Sequence, residues 1–558
     1  MDLYLLSSTS SWLRAGGLLL GALWTPAGVA QSVAAGQAPG HTAATTLAPD
    51  SITPAEAVRF LNQATFGANK DEIARVRELG YEGWIDDQFA QPPSKQENYL
   101  QMLQNGGTYP TMEHRFRIWW WNSVRGPDQL RQRVAWALSQ ILVISEDNAN
   151  LQGTALGMGG YYDDLTNGAF GNYRDLLGTV TINPLMGRWL TFIENEPADP
   201  ALNITPDENF ARELMQLFTI GLVQLDIDGE PLLDGFGAPI PTYDQNDIDE
   251  LARVFTGWNF ANATVWESPQ PNYLDMENWP AYHDADSKSL LGGQVIPAGL
   301  TGQEDLDAAL DIVFAHANVG PFIAKQLIKR LVTSNPTPGY VARVAQRFND
   351  DGIGQRGNLG AVVKAILLDP EARNGHRVWP STFGKLKEPL LRHAQFWRMF
   401  EALPVPVLGY EVPDMTLDYG QAPLASPTVF NFYTQFYAPP GPVVAAGLVA
   451  PEFQITTHTT AVATVNRFHE LTFDGYVGSP TATPDMALVQ IDAEKALAAS
   501  PGALVDRLDL LLLGGQMSNA MRAVLVDYAE NTPLGDGTQR VVETLYLILA
   551  SPEYAVQR

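Results

Sequence analysis

Four titratable side chains in this sequence are the strongest candidates for acid–base chemistry: Glu213, Asp247, His283 and Asp284. Two carboxyl groups at one cleft can share a hydrolytic reaction. A carboxyl held among apolar groups has a raised pKa and donates a proton, while its partner stays ionised as base or nucleophile. A nearby histidine adds a group that titrates close to neutral pH. The pattern predicts a hydrolase or lyase centre at which Glu213 and Asp247 face a cleft, with His283 and Asp284 at its rim.

The segment that carries Glu213 is predicted to form a helix from Thr205 to Gly221. Thr205 and Glu208 have the spacing of a capping box, and Pro206 suits the first helical position. Gly221 suits a left-handed C-terminal cap. A mid-helix acid has no such capping role, so Glu213 is a candidate functional group. The buried face of this helix is predicted to contain Phe210, Leu214, Leu217 and Phe218.

A second helix is predicted from Asp244 to Gly257, with Asp244 as its N-cap. Asp247 lies in its first turn, where the helix dipole alone is a sufficient alternative explanation for an acid. Asp249 and Arg253 are four residues apart and are predicted to pair, as are Glu208 and Arg212 in the first helix. Between the two helices, Asp228-Gly229 predicts a small hairpin, which we expect to roof a cleft between them.

The loop His283-Asp284-Ala285-Asp286-Ser287-Lys288 places a histidine beside two acids and a lysine. It lacks the distal glutamate of a calcium loop, and the lysine argues against a dedicated cation cage. Two interpretations stay open: an acid–base or metal-ligating histidine, and a salt-bridged surface turn. A divalent metal with oxygen or nitrogen ligands is therefore an open cofactor assignment. Weaker substrate contacts are assigned to Asn209, Arg212, Trp258, Lys288 and Tyr433.

Composition excludes several function classes. The 558-residue chain carries a formal net charge of −27, which repels nucleic acid. It contains no cysteine, so disulfides, thiolate metal sites and cysteine nucleophiles are excluded. No phosphate-binding loop, dinucleotide fingerprint, Gly-x-Ser-x-Gly elbow or His-Glu-x-x-His motif occurs, so no nucleotide cofactor is expected.

The N-terminus predicts an export signal over residues 1–30. Arg14 precedes a short apolar stretch, and Gly28-Val29-Ala30 suits signal cleavage. The alternative is a disordered or mis-started N-terminus. Residues 31–52 are predicted to be a flexible leader, and 53–558 a helical body with a subdivision near residue 300. No later apolar run is long enough for a membrane span, so we expect a soluble, exported mature protein in the periplasm, at the cell surface or secreted.

The fold is predicted to be mainly α: a large multi-helix body with small β-hairpin insertions and long ordered loops. Helical periodicity and capping residues predict helices at Pro54–Phe66, Leu130–Ile144, Tyr173–Val180, Pro321–Leu331, Tyr340–Phe348, Leu359–Leu368, Leu504–Leu513 and Val541–Leu549. Residues 148–170 and 404–455 are predicted to be loops. The second is rich in aromatic residues and is either a wrap over the helices or a binding wall.

Two side-chain groups have both a structural and a binding interpretation. The run Trp119-Trp120-Trp121 is better explained by core packing than by a sugar platform, since consecutive helical residues point in different directions. Basic residues also gather after residue 320, as a solvated face or as a docking surface for an acidic partner or anionic substrate. They are Lys325, Lys329, Arg330, Arg343 and Arg347, extended by Lys385, Lys387 and Arg392.

Several ordered motifs resemble the bacterial domain-of-unknown-function 1800 family from about residue 55 to the C-terminus. Besides the two helices and the His283 loop, they include 318–328, 361–373, 384–389, 421–424, 427–433 and 551–554. The resemblance implies an exported, mostly helical protein, often encoded beside a second exported family related to sulfatases. It supplies no catalytic residues. Many members carry a histidine where this chain has Asn183.

Two function classes follow. The first is an exported hydrolase or lyase that acts on an envelope or environmental polymer. The second is a non-catalytic envelope scaffold that binds the co-encoded sulfatase-like protein, in which the acids are caps and ion pairs. The first requires Glu213, Asp247 and His283 to share one concave pocket. The second predicts that they are dispersed, each paired with an arginine or a lysine.

Overall fold

The computed structural model describes residues 52–266, 272–405, 409–412 and 414–558. The predicted signal peptide and residues 31–51 of the predicted leader lie outside these ranges. Ile52 is only 2% exposed, and its carbonyl accepts a hydrogen bond from Arg77 Nε at 3.1 Å. The folded body therefore includes residue 52. Helices make up 53% of the structure, which confirms the mainly α prediction.

The first half of the body contains ten helices among its described residues. Thr53 and Glu56 form a capping box on α1, and α2 is kinked at Gly80. The helices are α1 (Pro54–Ala64), α2 (Lys70–Ala90), α3 (Glu97–Asn105), α4 (Met112–Arg125), α5 (Gln129–Ser139), α6 (Ala155–Gly168), α7 (Tyr173–Ile182), α8 (Pro184–Trp189), α9 (Asn209–Glu213) and α10 (Gln245–Val254). A π-helix at Leu214–Thr219 continues α9, and a 3-10 turn spans Pro280–Tyr282.

The second half continues in the same style, and its predicted helices occur within a few residues of their expected bounds. They are α11 (Gly302–Ala315), α12 (Val319–Leu331), α13 (Pro338–Asn349), α14 (Leu359–Leu368), α15 (Pro370–Val378), α16 (Pro389–Met399), α17 (Met415–Tyr419), α18 (Pro442–Ala445), α19 (His458–Phe473), α20 (Asp492–Lys495), α21 (Pro501–Leu508), α22 (Asn519–Asn531), α23 (Thr538–Leu549) and α24 (Pro552–Ala555). A 3-10 helix spans Pro451–Ile455, and a π-helix at Asp509–Leu513 continues α21.

Three small antiparallel strand pairs accompany the helices. They are β1 (Trp258–Asn259) with β2 (Glu277–Asn278), β3 (Lys288–Leu290) with β4 (Gln294–Ile296), and β5 (Lys385–Leu386) with β6 (Val556–Gln557). In the second pair Ser289 lies opposite Val295. The β3–β4 pair is a hairpin, whereas β5 and β6 come from distant parts of the chain; each sheet among the described residues has two strands.

The loop predicted at residues 148–170 is wrong, because α6 occupies most of it. Three of the four glycines of α6, Gly157, Gly159 and Gly168, are close-packed positions inside the helix. A Cβ added at Gly159 would lie 2.5 Å from Leu100 Cδ1 on α3. The missing side chain therefore lets α3 and α6 approach closely, and this packing outweighs the poor helix propensity of glycine.

The core prediction for the tryptophan run is confirmed for two of its three members. Trp119 and Trp120 are 1% and 0% exposed, while Trp121 is 43% exposed. Trp119 donates to the Tyr162 hydroxyl at 2.9 Å, which satisfies its polar atom inside the core.

A buried charged network joins the aromatic-rich segment 404–455 to the helices. Trp136 and Gln140 on α5 donate to the two carboxylate oxygens of Glu388 at 2.7 and 2.9 Å, and the Tyr433 hydroxyl donates to it as well. Burial acts to raise the pKa of Glu388, but nearby Lys385 and other partners hold it below its usual value. Lys385 also pairs with buried Glu452 at 2.9 Å. We call this set the Glu388 network.

The described part of segment 404–455 is thus mainly a wrap, with a few exposed aromatics. Phe432 and Tyr433 are 8% and 2% exposed, whereas Phe436 is 80% exposed. The network joins residues on both sides of position 300. The predicted subdivision there stays a prediction.

No single helix among the described residues has the length and apolar composition of a membrane span. The pair α11 and α12, bent by 75°, passes that test only when its two members are taken together.

Candidate functional site

The helix that carries Glu213 begins later than predicted. α9 starts at Asn209 and its N-cap residue Glu208 makes no capping hydrogen bond, so the Thr205–Glu208 capping box is wrong. Asp207 instead provides a side-chain acceptor at the N-terminus of α9, since its Oδ1 accepts from the Asn209 amide at 2.8 Å. Glu208 is used elsewhere, since it pairs with Arg212 at 2.8 Å as predicted and also accepts from Gln245 Nε2 at 2.9 Å.

Glu213 lies where α9 passes into the π-helix Leu214–Thr219. Its side chain is buried at 8% exposure, and its Oε2 has no hydrogen-bond partner. Burial raises its pKa, and Arg212 opposes the rise. Burial also raises the pKa of neighbouring Tyr243 to about 12, and the Tyr243 hydroxyl likewise has no partner. Glu213 thus has the raised pKa expected of a proton donor.

The Gly221 and apolar-face predictions for this segment are confirmed. Gly221 has φ 70°, and its amide donates to the Met215 carbonyl at 2.9 Å across the end of the π-helix. Phe210, Leu214 and Phe218 are fully buried, and Leu217 is half-buried.

Asp247 acts as a cap at the start of α10. Asp244 and Asp247 form a capping box, in which the Asp247 amide donates to Asp244 Oδ1 at 3.2 Å and Asp247 Oδ2 accepts from the Asp244 amide at 3.0 Å. Asp247 Oδ1 accepts from the Leu291 amide at 2.8 Å, which ties α10 to the turn after β3. Both carboxylate oxygens therefore already have partners.

The predicted Asp249–Arg253 pair is wrong. Arg253 instead donates to Asp284 through Nε at 2.7 Å and Nη2 at 3.1 Å, and to Glu250 at 2.9 Å. Asp249 accepts from Gln245. Arg253 can form a forked pair with Asp284 because the loop after α10 folds back beside it, and a bidentate contact outcompetes an exposed helical pair.

Asp284 is held by this contact. Burial acts to raise its pKa, but the hydrogen bond from Arg253 and the Asp286 amide bring it below its usual value. For Arg253, burial acts to lower the pKa, but the hydrogen bond to Asp284 outweighs it, and the pKa of Arg253 is raised. An ionised, bidentate carboxylate of this kind is poorly suited to donate or accept protons in catalysis.

His283 is a buried bridge between α10 and α11. Its Nδ1 lies 3.0 Å from the Thr256 carbonyl oxygen, and its Nε2 lies 3.0 Å from Asp305 Oδ2. Both ring nitrogens therefore have protein oxygens within hydrogen-bond distance.

Lys288 completes this arrangement. Its Nζ contacts the same Asp305 oxygen and donates to the Asp284 and Asp286 carbonyls at 2.5 and 3.0 Å. Burial acts to raise the pKa of Asp305, but the hydrogen bonds from His283 and Lys288 bring it below its usual value. We call His283, Lys288 and Asp305 the Asp305 cluster.

The structure therefore brings three of the four nominated residues into one region. Asp247, His283 and Asp284 all fasten α10 to the segment 283–291. Among the described residues, no hydrogen bond or ion pair links Glu213 to any of them. The contacts match the salt-bridged turn that the sequence left open as the alternative for this loop.

Three of the five weaker substrate assignments fall on side chains with little exposed surface. Trp258, Lys288 and Tyr433 are 2%, 1% and 2% exposed. Asn209 is exposed, and its Nδ2 donates to Thr191 Oγ1 at 3.3 Å. Arg212 is half-exposed in its pair with Glu208. Only Asn209 and Arg212 have the accessibility that a surface ligand requires.

The predicted hairpin at Asp228-Gly229 is present and forms part of a longer arm over residues 222–241. The Asp226 amide donates to the Glu230 carbonyl at 2.9 Å, and Gly229 has φ 78°. Lys325 on α12 donates to the Gly229 carbonyl at 2.8 Å, so the turn lies against the later helices. We call residues 222–241 the arm.

The predicted basic surface is divided among separate internal contacts. Lys329 and Arg330 are 7% and 4% exposed and donate to the Gln435 and Gln140 carbonyls at 2.8 Å each. Arg343 pairs with Asp369 at 2.7 Å. These residues fix neighbouring segments and do not form one continuous basic face.

No group of three or more histidine, aspartate or glutamate side chains among the described residues has the geometry of a metal site. The position at which the resemblance expects a histidine holds Asn183, whose Oδ1 caps α8 and whose Nδ2 donates to Asp164 at 3.0 Å. Burial raises the pKa of Asp164 to about 6.

Sequence reasoning missed Asp305, the residue on which the Asp305 cluster depends. It lies in the first turn of α11, where the helix dipole explains an acid without further contacts. It also missed Glu250 and Tyr243. A signal for Asp305 existed in principle, because a buried lysine and a buried histidine on one short loop require an acidic partner elsewhere.

The fold and these contacts define a large, mainly helical protein in which the conspicuous charged side chains join helices to loops. Within that class, the chain belongs to the family described as protein of unknown function (DUF1800), whose model matches residues 59–556. This confirms the resemblance. No curated protein and no solved structure matches the chain.

Proposed function

We propose that this protein is a non-catalytic scaffold of the cell envelope that holds another exported protein through its arm. The candidate partner is the sulfatase-like exported protein that the family resemblance implies as a genetic neighbour. Export itself is part of the proposal and is supported by the signal-like pattern of residues 1–30.

The observation that carries this proposal is the set of apolar side chains on the arm. Leu222 and Leu233 are each 57% exposed, Leu232 is 39% exposed and Phe236 is 98% exposed. Single exposed apolar residues are ordinary, but several on one projecting segment are typical of a protein-binding surface. An almost fully exposed phenylalanine is the kind of side chain that anchors an interface.

The arm is also braced at its base, which reduces the entropy lost on binding. Asn318, 1% exposed at the start of α12, accepts from the Leu225 amide at 2.9 Å and donates to the Val223 carbonyl at 2.7 Å. At the tip, Asp234 Oδ1 accepts from the Phe236 and Ala238 amides at 2.8 and 2.9 Å. Phe236 is thus presented by an ordered turn.

The internal use of the nominated charges supports the same proposal. Asp247, His283, Asp284 and Lys288 hold helices and loops together, which is in line with the caps and ion pairs of the scaffold interpretation, whereas Glu213 keeps an unpartnered oxygen. A general acid or base needs a proton-carrying atom that can reach a substrate, and the polar atoms of these four side chains contact protein partners.

The test is a binding titration between this protein and the purified sulfatase-like neighbour. We expect Phe236→Ala to weaken binding at least tenfold while the fold stays intact, since the side chain contacts solvent in the free protein. Val295→Ala is the matched control, because Val295 is 65% exposed in β4, outside the arm. Absence of a complex with the unmodified protein, or equal binding by the Phe236 variant, would overturn the proposal.

Glu213 supports a second candidate function, the hydrolase or lyase. Its Oε2 lacks a partner and its pKa is raised by burial, and π-helical turns occur often at functional sites. The test is a screen with polysaccharides and sulfate esters, comparing the unmodified protein with Glu213→Gln. A hydrolytic activity that is lost in this variant supports the enzyme, and equal turnover by both proteins rejects Glu213 as the acid.

A further inference from the structure

The arm is small for a complete protein interface. Stable interfaces cover roughly 800 Å² and about 20–30 residues on each partner. The arm consists of residues 222–241, and part of it faces the body of the protein, since Lys325 contacts Gly229 and Asn318 contacts residues 223 and 225. A partner held through the arm therefore needs further surface beside it.

One face of α12 holds both the arm and a second surface segment. Lys325 and Lys329 are four residues apart on this helix, so their side chains lie on the same face, one turn apart. Lys325 Nζ donates to the Gly229 carbonyl of the arm, and Lys329 Nζ donates to the Gln435 carbonyl, both at 2.8 Å. The arm and the segment around Gln435 are therefore neighbours on α12.

The second segment is a closed loop without charged side chains. Residues 419–451 contain no acidic residue, basic residue or histidine. Within this stretch the Ala450 amide donates to the Tyr437 carbonyl at 2.9 Å, which closes the loop. Asn335, just after α12, exchanges two hydrogen bonds of 2.9 Å with the Val449 backbone. We call residues 435–450 the uncharged loop.

Apolar side chains on the uncharged loop are exposed. Phe436 is 80% exposed, and Lys329 Nζ lies 5.6 Å from the centre of its ring. Val444 on α18 is 51% exposed, and Ala445 and Ala446 beside it are exposed as well. Several exposed apolar residues in a stretch without charge are typical of an interaction surface.

The charge of the neighbouring arm favours a protein partner over a lipid surface. The arm carries four acids, Asp226, Asp228, Glu230 and Asp234, and no basic residue. Lys325 offsets one of them, since its Nζ lies 3.5 Å from Glu230 Oε1. Anionic lipid headgroups repel an acidic surface of this kind, whereas basic side chains around an apolar patch of a protein complement it.

We propose that the arm and the uncharged loop together form one docking surface, which fits a protein whose apolar patch is rimmed by lysine or arginine side chains. Phe236 and Phe436 are the apolar anchors of this surface, and the acids of the arm pair with the basic rim. The inference rests on the proposed scaffold function, because it extends the arm and names the chemistry of the partner.

The first test compares two phenylalanine variants in a binding titration with the purified sulfatase-like neighbour. We expect Phe436→Ala to weaken binding by about tenfold or more, as for an interface anchor. Val462→Ala is the matched control, since Val462 is 62% exposed on α19, outside both segments. If Phe236→Ala weakens binding and Phe436→Ala does not, this inference fails and the proposed function stands. If the unmodified protein forms no complex, both fail.

Hydrogen exchange followed by mass spectrometry tests the same surface without a substitution. We expect complex formation to slow exchange in residues 222–241 and in residues 435–450 together. Protection confined to the arm contradicts a shared docking surface.

The basic rim is tested by the association rate at low ionic strength. Glu230→Lys reverses one charge of the arm, and Asp527→Lys makes the same change of net charge at an exposed position of α22. We expect only the first to slow association, with the difference shrinking as sodium chloride is added, because rim charges act mainly on the association rate. Equal rates for both variants rule out a basic rim.

Vesicle sedimentation decides between a protein and a lipid surface. The probes are vesicles of phosphatidylcholine, with and without phosphatidylglycerol. We expect the unmodified protein to stay in the supernatant in both cases. Sedimentation that Phe436→Ala abolishes would assign the uncharged loop to a lipid surface and overturn the proposal.

Discussion

Asp305 has two side-chain partners, a histidine and a lysine, on a single carboxylate oxygen. His283 and Lys288 both contact its Oδ2, whereas its Oδ1 is buried without a partner. Asp305 and Lys288 are each 1% exposed, so water does not compensate for the loss of either. The position of the loop 283–288 against α11 therefore depends on one carboxylate, that of Asp305.

We expect Asp305→Asn to lower the free energy of unfolding by about 3–5 kcal/mol, because it leaves the buried Lys288 without a counter-charge and removes the carboxylate partner of His283. Urea unfolding followed by circular dichroism measures this change. Asp286→Asn is the control on the same loop, since Asp286 is exposed, and should change the value by less than about 0.5 kcal/mol. Equal effects of the two substitutions would contradict the role given to the cluster.

The stability difference between the unmodified protein and Asp305→Asn should depend on pH. The folded-state pKa of Asp305 lies below its unfolded value of about 3.9, so its stabilisation is present above that pH and is lost as pH falls through the folded value. The difference in thermal midpoint between the unmodified protein and Asp305→Asn should be constant from pH 7 to about 5 and shrink below about pH 4.

At this scale, residue type and local spacing located the charged loop but not its function. His283, Asp284 and Lys288 were found because they are adjacent in sequence. Their partners, Asp305 and Arg253, lie on other elements, and no local pattern indicates that α10 and α11 enclose the loop. Glu213 was singled out for a local reason, its mid-helix position, and it is the nominated residue that retains an unpartnered oxygen.

Between α10 and the 283–288 loop, Gly257 sets how closely two elements approach. It has φ 83°, and a Cβ there would lie 2.9 Å from the Trp279 carbonyl oxygen and 3.0 Å from His283 Cβ. Both the backbone conformation and the available space therefore require glycine. Gly293, in the turn between β3 and β4, has a similar φ of 81° but nothing within 4 Å of the added atom.

Comparing Gly257 with Gly293 separates the cost of a left-handed backbone conformation from the cost of steric crowding. We expect Gly293→Ala to destabilise by about 1–2 kcal/mol, the usual penalty of a left-handed alanine. Gly257→Ala should cost at least about 1 kcal/mol more, because the Trp279 carbonyl and His283 must also move. Chemical denaturation of both variants tests the difference, and equal losses would show that crowding at Gly257 is unimportant.

Element prediction succeeded where caps and apolar spacing agree and failed where packing decides. The bounds of α14 are those predicted, and α10 has its predicted N-cap, Asp244. α6 was missed because its glycines contribute through close packing, which a single sequence does not display. The two π-helices extend predicted α-helices, and their one-residue widening leaves no signal in apolar periodicity.

Across the whole molecule, the Glu388 network connects segments that are far apart in the chain. It combines α5, the β5 region and segment 404–455 around charges that are almost completely buried. Burying charges rarely adds net stability, but removing one partner of a completed set is strongly destabilising. The sequence predicted a wrap over the helices as one of two interpretations, without indicating the buried carboxylate to which it attaches.

We expect Tyr433→Phe to loosen this attachment, since it removes one donor to Glu388 and costs about 1.5–3 kcal/mol, the range for a hydrogen bond to a charged group. Hydrogen exchange followed by mass spectrometry should show faster exchange in residues 428–456 and in α5, with the arm unchanged. Tyr437→Phe is the control, because its half-buried ring makes no contact with Glu388. Uniform protection in both variants would contradict the anchoring role.

Because its members are far apart in the chain, the Glu388 network can form only late in synthesis, after its last residues have been added. Trp136 and Glu388 emerge from the ribosome well before Tyr433 and Glu452, so a nascent chain holds an acid and several cations that cannot yet be enclosed. A truncated product that stops before residue 433 would expose these groups beside a tryptophan-rich interior. Such fragments should be substrates for chaperones and proteases, and not stable half-molecules.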